Sequence, residues 1–382
     1  MPTLKPQPLA GTPLNFAADS GFYAECRRRV QAFFDEHGIS PHATLGMYLK
    51  TAAILGWFAA SYVLLVFVAA NWWQGVLLSL SMALAMAGIG FGIQHDANHG
   101  AYSRFKIVNR LLGMTLDVLG GSSYVWHWKH NVSHHTYPNL NGADDDLDIR
   151  PWGRLAPGQR RMFFHRLQQY YLWPLYGFLL PKWHFVDDAL NLTQAKVGGR
   201  GFPRPRGLRL AELLGGKALF FGWAFFLPML FHPWWQVLLF YAGTAAFVGI
   251  SLSIVFQLAH CVENAEFPHP ALIERENRQW AVHQLNTTVN FARRNPILTW
   301  YLGGLNFQIE HHLFPRICHV HYPRVSRIVE EVCAQWGLRY NSHASVFSAI
   351  SSHWRWLRRM GRPPARSTPT SAAQQASPRQ CP

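Results

Sequence analysis

Apolar residues gather into four long runs along this chain. Thr51 to Ala70 covers 20 residues and Val76 to Ile93 covers 18. At about 1.5 Å per residue, helices of that length cross the roughly 30 Å hydrocarbon core of a bilayer. Only Asn71-Trp72-Trp73-Gln74-Gly75 separates the two runs, so they are predicted to form a hairpin that returns to the side it left. Leu213 to Phe231 and Trp234 to Ala259 form a second such pair across His232-Pro233, with Lys217 placed to snorkel to the interface. Ile107 to Gly120 has 14 residues and is too short to span, so it reads as an interfacial or buried helix, and the aromatic Met162 to Pro181 reads as lying along the membrane surface.

The polar segments divide the rest. Residues 1–43 read as a cytosolic arm with one amphipathic helix around Phe22 to His37, residues 44–362 as the membrane domain, and the Pro-, Ser-, Ala- and Gln-rich residues 363–382 as a disordered tail. The arm holds no apolar stretch of the kind a secretory signal needs, so insertion is expected to rely on the internal spans.

Composition supports a membrane protein: 49% of residues are hydrophobic and only 14% are charged, against about 25% in a typical soluble domain. The formal charge of +15 suits anionic headgroups or an acidic protein partner, and no nucleic-acid motif accompanies it. Neither short turn contains Lys or Arg, whereas the arm, residues 94–211 and everything after His260 are rich in both. The positive-inside rule therefore turns those three blocks to the cytoplasm, in an inner membrane if the source is bacterial. The five cysteines show no C-x-x-C and no regular spacing, which fits a reducing compartment.

Three tight histidine clusters lie in those blocks, and hence on one side of the membrane. His95 and His99 form H-D-A-N-H after the second run, where i, i+4 spacing puts both imidazoles on one helix face. In H-N-V-S-H-H, His130 and His134 share a face while His135 is turned by about 100°. His311 and His312 close Q-I-E-H-H. Seven histidines with two adjacent pairs read as a dinuclear site. His260, where the fourth run meets the cytoplasm, is read as an eighth ligand, with an ordinary interfacial histidine as the other reading. Gln308 completes the set directly or through a water.

The nitrogen-rich, cysteine-free donor set beside lipid favours iron and the O2-dependent oxidation of unactivated C–H bonds. Zinc hydrolysis is disfavoured because no H-E-x-x-H helix is present. The carboxylate-bridged di-iron pattern is disfavoured because only Glu266 to His269 has Glu-x-x-His spacing, with Pro268 inside it. Asp96 and Asn98, flanked by candidate ligands, are expected to orient imidazoles; Asp144, Asp145, Asp146 and Asp148 either do so or form a solvated acidic loop. His127, His283, His319 and His321 are placed near the site without ligating. Gly88 and Gly92 form a G-x-x-x-G explained by close helix packing.

The three boxes H-D-A-N-H, H-N-V-S-H-H and Q-I-E-H-H resemble those of the membrane fatty-acid desaturases. Gln308 at the head of the third box resembles the front-end branch, which includes Δ6-acyl-lipid desaturases. The likeness extends through Q-L-A-H-C-V-E-N-A-E-F and N-P-I-L-T-W-Y-L-G-G-L-N-F-Q-I-E-H-H-L-F-P, over roughly residues 45–360. The resemblance implies an all-α integral membrane fold: four transmembrane helices carry a cytosolic helical cap over a di-iron centre, and an acyl tunnel leads away from it. It also implies that His95, His99, His130, His134, His135, His260, His311 and His312 hold two irons, with Gln308 at the variable position. O2 and two reducing equivalents then place a cis double bond in a lipid- or CoA-linked acyl chain. Many eukaryotic front-end enzymes carry a fused cytochrome b5 domain with H-P-G-G; this sequence contains no H-P-G-G, so a separate ferredoxin or cytochrome is the expected donor. A desaturase of other regiospecificity, or a lipid or alkane hydroxylase of the same superfamily, uses the same boxes. A haem-binding electron carrier or a histidine-lined metal transporter requires histidines inside the spans, and the four apolar runs hold none.

Overall fold

The computed structural model describes residues 14–197 and 199–363. The first residues of the arm and nearly all of the tail expected to be disordered lie outside them. The fold is helical, with two small two-stranded sheets among the described residues. The helices that matter below are α1 (Phe22–His37), α2 (Leu45–Phe67), α3 (Trp72–His99), α4 (His127–His134), α5 (Leu208–Met229), α6 (Trp234–His260), α7 (Gln308–Leu313) and α8 (Tyr322–Gln335).

Helices α2, α3, α5 and α6 are long and apolar enough to cross a membrane. Their outer faces stay apolar, with Leu49, Leu77, Leu219 and Leu239 exposed, as expected of helices whose surroundings are lipid rather than water. Helix α3 runs six residues past its apolar run to end at His99, and α6 ends with its own, one residue on, at His260. A helix ends where its backbone hydrogen bonds end, not where hydropathy does, so both carry the membrane scaffold directly into the histidine cluster. Lys106–Gly113 and Thr115–Val118 are short helices, and exposed Ile107 and Leu111 mark the first as one-sided.

The segment Met162 to Pro181 forms several short helices that press on α6. A Cβ on Gly249 would stand 2.8 Å from the Tyr176 carbonyl oxygen, and one on Gly177 3.2 Å from Ala246 Cβ. Both glycines of the G-x-x-x-G of α3 face α2, Gly88 against Ile54 and Gly92 against Lys50, and Gly92 also meets the backbone of Gly303 in the loop before α7. Gly303 has φ 57°, and its Cβ would fall 2.4 Å from the Phe91 carbonyl oxygen, so only glycine lets that loop touch α3.

Beyond the spans, α1 and α8 close over α7. Phe22, Cys26, Val30 and Phe34 of α1 share a buried cluster with Val325, Val329 and Val332 of α8 and with Ile309 and Leu313 of α7. The third histidine box is therefore held from below by α3 and from above by the arm.

Candidate metal centre

Local backbone geometry aims the histidines. Gly90 and Gly92 lie in a π-helical turn, Ile89–Gln94, which resets the phase of α3 just before His95–His99 resumes α-helical spacing. The second box is itself π-helical, with the His135 amide donating to the His130 carbonyl at 3.0 Å, five residues back. This corrects the expected helical phase. The wider turn swings His135 under His130 rather than 100° away, and their Nε2 atoms stand 3.2 Å apart.

All eight histidines come together. His95, His99, His130 and His311 form one group whose ligand atoms lie within 4.8 Å of one another; His134, His260 and His312 form a second. His135 sits between them, grouped with His311 and His312. His260 is buried among the rest, its ring 4.7 Å from that of His134 and 5.0 Å from that of His312. Gln308 is buried beside it, but its amide donates to the Leu305 carbonyl at 2.9 Å.

A second set of contacts turns the rings inward. His134 Nδ1 meets Asp144, His312 Nδ1 donates to Gln284 Oε1 at 2.9 Å, His260 Nδ1 donates to the Thr287 carbonyl at 3.3 Å, and His311 Nδ1 lies 3.3 Å from the Tyr322 hydroxyl. With Nδ1 engaged, Nε2 is left to face the centre. The buried Nε2 atoms of His99, His260, His311 and His312 have no hydrogen-bond partner. Orphaned buried polar atoms are costly, and four of them converging on one space fit a metal that replaces the missing partners.

Electrostatics agree. Burial, reinforced by neighbouring imidazoles, holds His130, His135, His311 and His312 well below the ordinary imidazole range, so they are neutral and free to ligate. His134 is the exception: burial lowers it, but the carboxylates of Asp144 and Asp146 raise it further, to a net position above its ordinary value.

Several expected roles move. Asp96 binds His319, with Nδ1 to Oδ2 at 2.7 Å, and Asn98 donates to Gln94 and to the Gly113 carbonyl, so neither touches a box imidazole. The orienting carboxylate is Asp144. Glu310 is buried on Asn290 and Tyr340, and burial pushes its carboxyl up to about 7. His283 meets the Pro138 carbonyl while its neighbour Gln284 serves His312.

Sequence reasoning missed Asn139, whose side-chain amide reaches the carbonyls of His260, Glu266 and Thr287 at 3.0 to 3.2 Å and so staples the second box to the end of α6. Its position three residues after His-His-Thr, in a Tyr-Pro-Asn turn, was the available signal.

A cavity of about 300 Å³ lies between the four long helices, lined by Met82, Met86, Trp223, Phe240, Thr244 and Ala245 among others. Met86 precedes His95 by nine residues on one continuous helix, about 13 Å along its axis.

Residues 70–344 match the family model described as fatty acid desaturase. The chain is 37% identical over 356 residues to the sn-1 linoleoyl-lipid 6-desaturase of Arthrospira platensis, covering 91% of this chain and 94% of that protein. It is 38% identical to the enzyme of the same name from a Synechocystis species, covering 91% and 98%. To the acyl-lipid (8-3)-desaturase of Physcomitrium patens it is 35% identical, covering 90% and 72%.

Proposed function

The chain belongs to the fatty acid desaturase family and is a fatty acyl desaturase, and from that premise we propose that it is a front-end, Δ6-like enzyme placing a cis double bond in a membrane acyl-lipid. The observation that carries the site is the convergence of eight buried imidazoles with four orphaned Nε2 atoms. His95, His99, His130 and His311 would hold one iron and His134, His260 and His312 the other, with His135 between the two groups. The Nε2 atom of His130 stands 3.2 Å from that of His135 and 3.3 Å from that of His95, close enough for neighbouring rings to share a metal ion. Gln308 borders the second iron beside His260.

The irons, when bound, supply the one-electron chemistry through which O2 oxidises an unactivated methylene. Burial keeps His130, His135, His311 and His312 neutral and excludes bulk water, and Asp144 fixes the orientation of His134. The cavity below Met86 receives the methyl end of the chain, since a largely apolar space between the spans, on the same helix that carries His95, fits a hydrocarbon. The two helix pairs form membrane hairpins, and the charge asymmetry sets the histidine side, with its helical cap, toward the cytoplasm of a bacterial inner membrane. A separate ferredoxin or cytochrome delivers electrons.

Expression in a host that makes no Δ6 products, fed defined C16 and C18 acids, tests this reading by mass-spectrometric location of the new double bond. A Δ6 alkene supports it, a bond elsewhere corrects the regiochemistry, and an alcohol redirects it to hydroxylation.

A further inference from the structure

Two aromatic side chains connect the surface of the arm to the histidine centre. The Trp280 indole N–H donates to the backbone carbonyl of His135 at 3.4 Å, and the Tyr23 hydroxyl donates to the carbonyl of Leu313, the residue after His312, at 3.0 Å. The two rings meet edge to face with centroids 5.2 Å apart. Each therefore touches the backbone of a different histidine box, and they touch each other. Outward, the Arg27 guanidinium lies 5.8 Å from the centre of the Tyr23 ring, and exposed Arg316 follows Phe314, which packs against that ring at 5.9 Å.

The charge at this face is one-sided. Arg27, Arg28, Arg29 and Arg316 stand here against Glu25 and Asp19, while the remaining acids of α1, Asp35 and Glu36, lie about two turns further on at its far end. Glu25 is shared by Arg28 and Arg29, and Asp19 accepts the Tyr23 and Ala24 amides at the start of α1. Neither Arg27 nor Arg316 has an acidic partner among the described residues.

Resting on the desaturase reading, we propose that the face of α1 around Arg27 and Arg316 docks an acidic one-electron carrier protein and that Tyr23 and Trp280 form the route by which its electrons reach the centre at His135. Converting two methylenes and O2 into one alkene and two waters consumes two electrons and two protons beyond the two hydrogens taken from the chain. The carrier is oxidised by one electron in each of two encounters, and water supplies the protons. His135 is a fitting terminus because it lies between the two histidine groups, its ring 4.6 Å from His311 and 4.4 Å from His312. Exposed guanidiniums steer an acidic partner through encounters that salt screens.

The test uses the full, iron-loaded chain in nanodiscs of zwitterionic lipid, with an acidic plant-type [2Fe–2S] ferredoxin as the probe. Association is measured against ionic strength, and reoxidation of the reduced ferredoxin is followed by absorbance. The double variant Arg27→Glu/Arg316→Glu is expected to weaken association about tenfold or more and to slow ferredoxin-driven desaturation equally. Desaturation driven by dithionite and methyl viologen should be unchanged. Trp280→Phe is expected to leave association intact while slowing ferredoxin reoxidation about tenfold. Wild-type association by the double variant, or wild-type reoxidation by Trp280→Phe, overturns the proposal. So does a double variant that loses binding to anionic vesicles but not to ferredoxin, which makes the patch a lipid contact. Absence of desaturation by the wild type with either reductant strikes the desaturase reading instead, while the association measurement still decides the docking face.

Discussion

His134 and Asp144 form a buried pair in which Nδ1 lies 3.1 Å from each carboxylate oxygen. The carboxylate also accepts the Asn139 amide at 2.9 Å, and Asn139 in turn holds the His260 carbonyl. One acid thus fixes the tautomer of a box-two histidine and the turn that ties box two to α6. Asp144→Asn keeps the volume but removes the charge and places an amide group where two donors converge. Iron affinity, measured by retention during dialysis against a graded chelator, is expected to fall about 10- to 100-fold, with desaturation falling in parallel.

His312 has its ligand atom in both the second histidine group and the group that includes His135. Its replacement by Ala is expected to abolish desaturation and lower iron content, with membrane insertion retained because the spans are untouched. Elemental analysis of the purified wild type should give about two irons per chain, and His130→Ala and His135→Ala should behave as His312→Ala does. Full activity in all three variants, or zinc in place of iron, would sink the di-iron assignment.

The histidines were legible in the sequence because ligand chemistry demands particular residue types at tight spacing. Their distribution between two groups was not. It depends on a π-helical backbone at residues 127–134, which hydropathy does not encode, and an α-helical reading turned His135 to the wrong side. Adjacency to a histidine chose Asp96, which serves His319 instead, while Asp144 was legible only as one of four acids in the loop after the second box. Gln284, Thr287 and Tyr322 reach the rings from elements brought close by folding alone. The apolar runs gave the long helices and the bounds of α6 to one residue, but not the end of α3, which continues as helix through polar, protein-buried sequence to His99.

Gly303 offers a test of how the third box is seated. Its φ of 57° and a virtual Cβ 2.4 Å from the Phe91 carbonyl oxygen combine backbone strain with a clash that no side-chain movement relieves. Gly38 has a similar φ of 60° in the ordinary left-handed region, with open space around it. Gly303→Ala is expected to cost about 2 kcal/mol or more and to reduce activity by moving α7 relative to α3, whereas Gly38→Ala should cost about 1 kcal/mol and spare activity. Thermal unfolding in detergent, with iron content read on the same samples, separates the two effects.

The cavity between the spans should set chain length. Thr244 lines it with a buried hydroxyl that has no hydrogen-bond partner, and the tip of the Phe240 ring is pressed so close to Gly75, itself in the lining, that a Cβ there would lie 2.6 Å from the ring. Gly75→Leu must displace that ring and adds bulk to the lining, as Thr244→Leu does on the facing helix. Each methylene the cavity can no longer bury forfeits about 0.8 kcal/mol, close to a fourfold change in binding. Losing room for two methylenes should therefore lower the preference for C18 over C16 substrate by about tenfold or more. Competition between the two acids in one culture, with products quantified together, reads that ratio without needing absolute rates. An unchanged ratio in both variants, with activity retained, would mean that the acyl chain runs elsewhere.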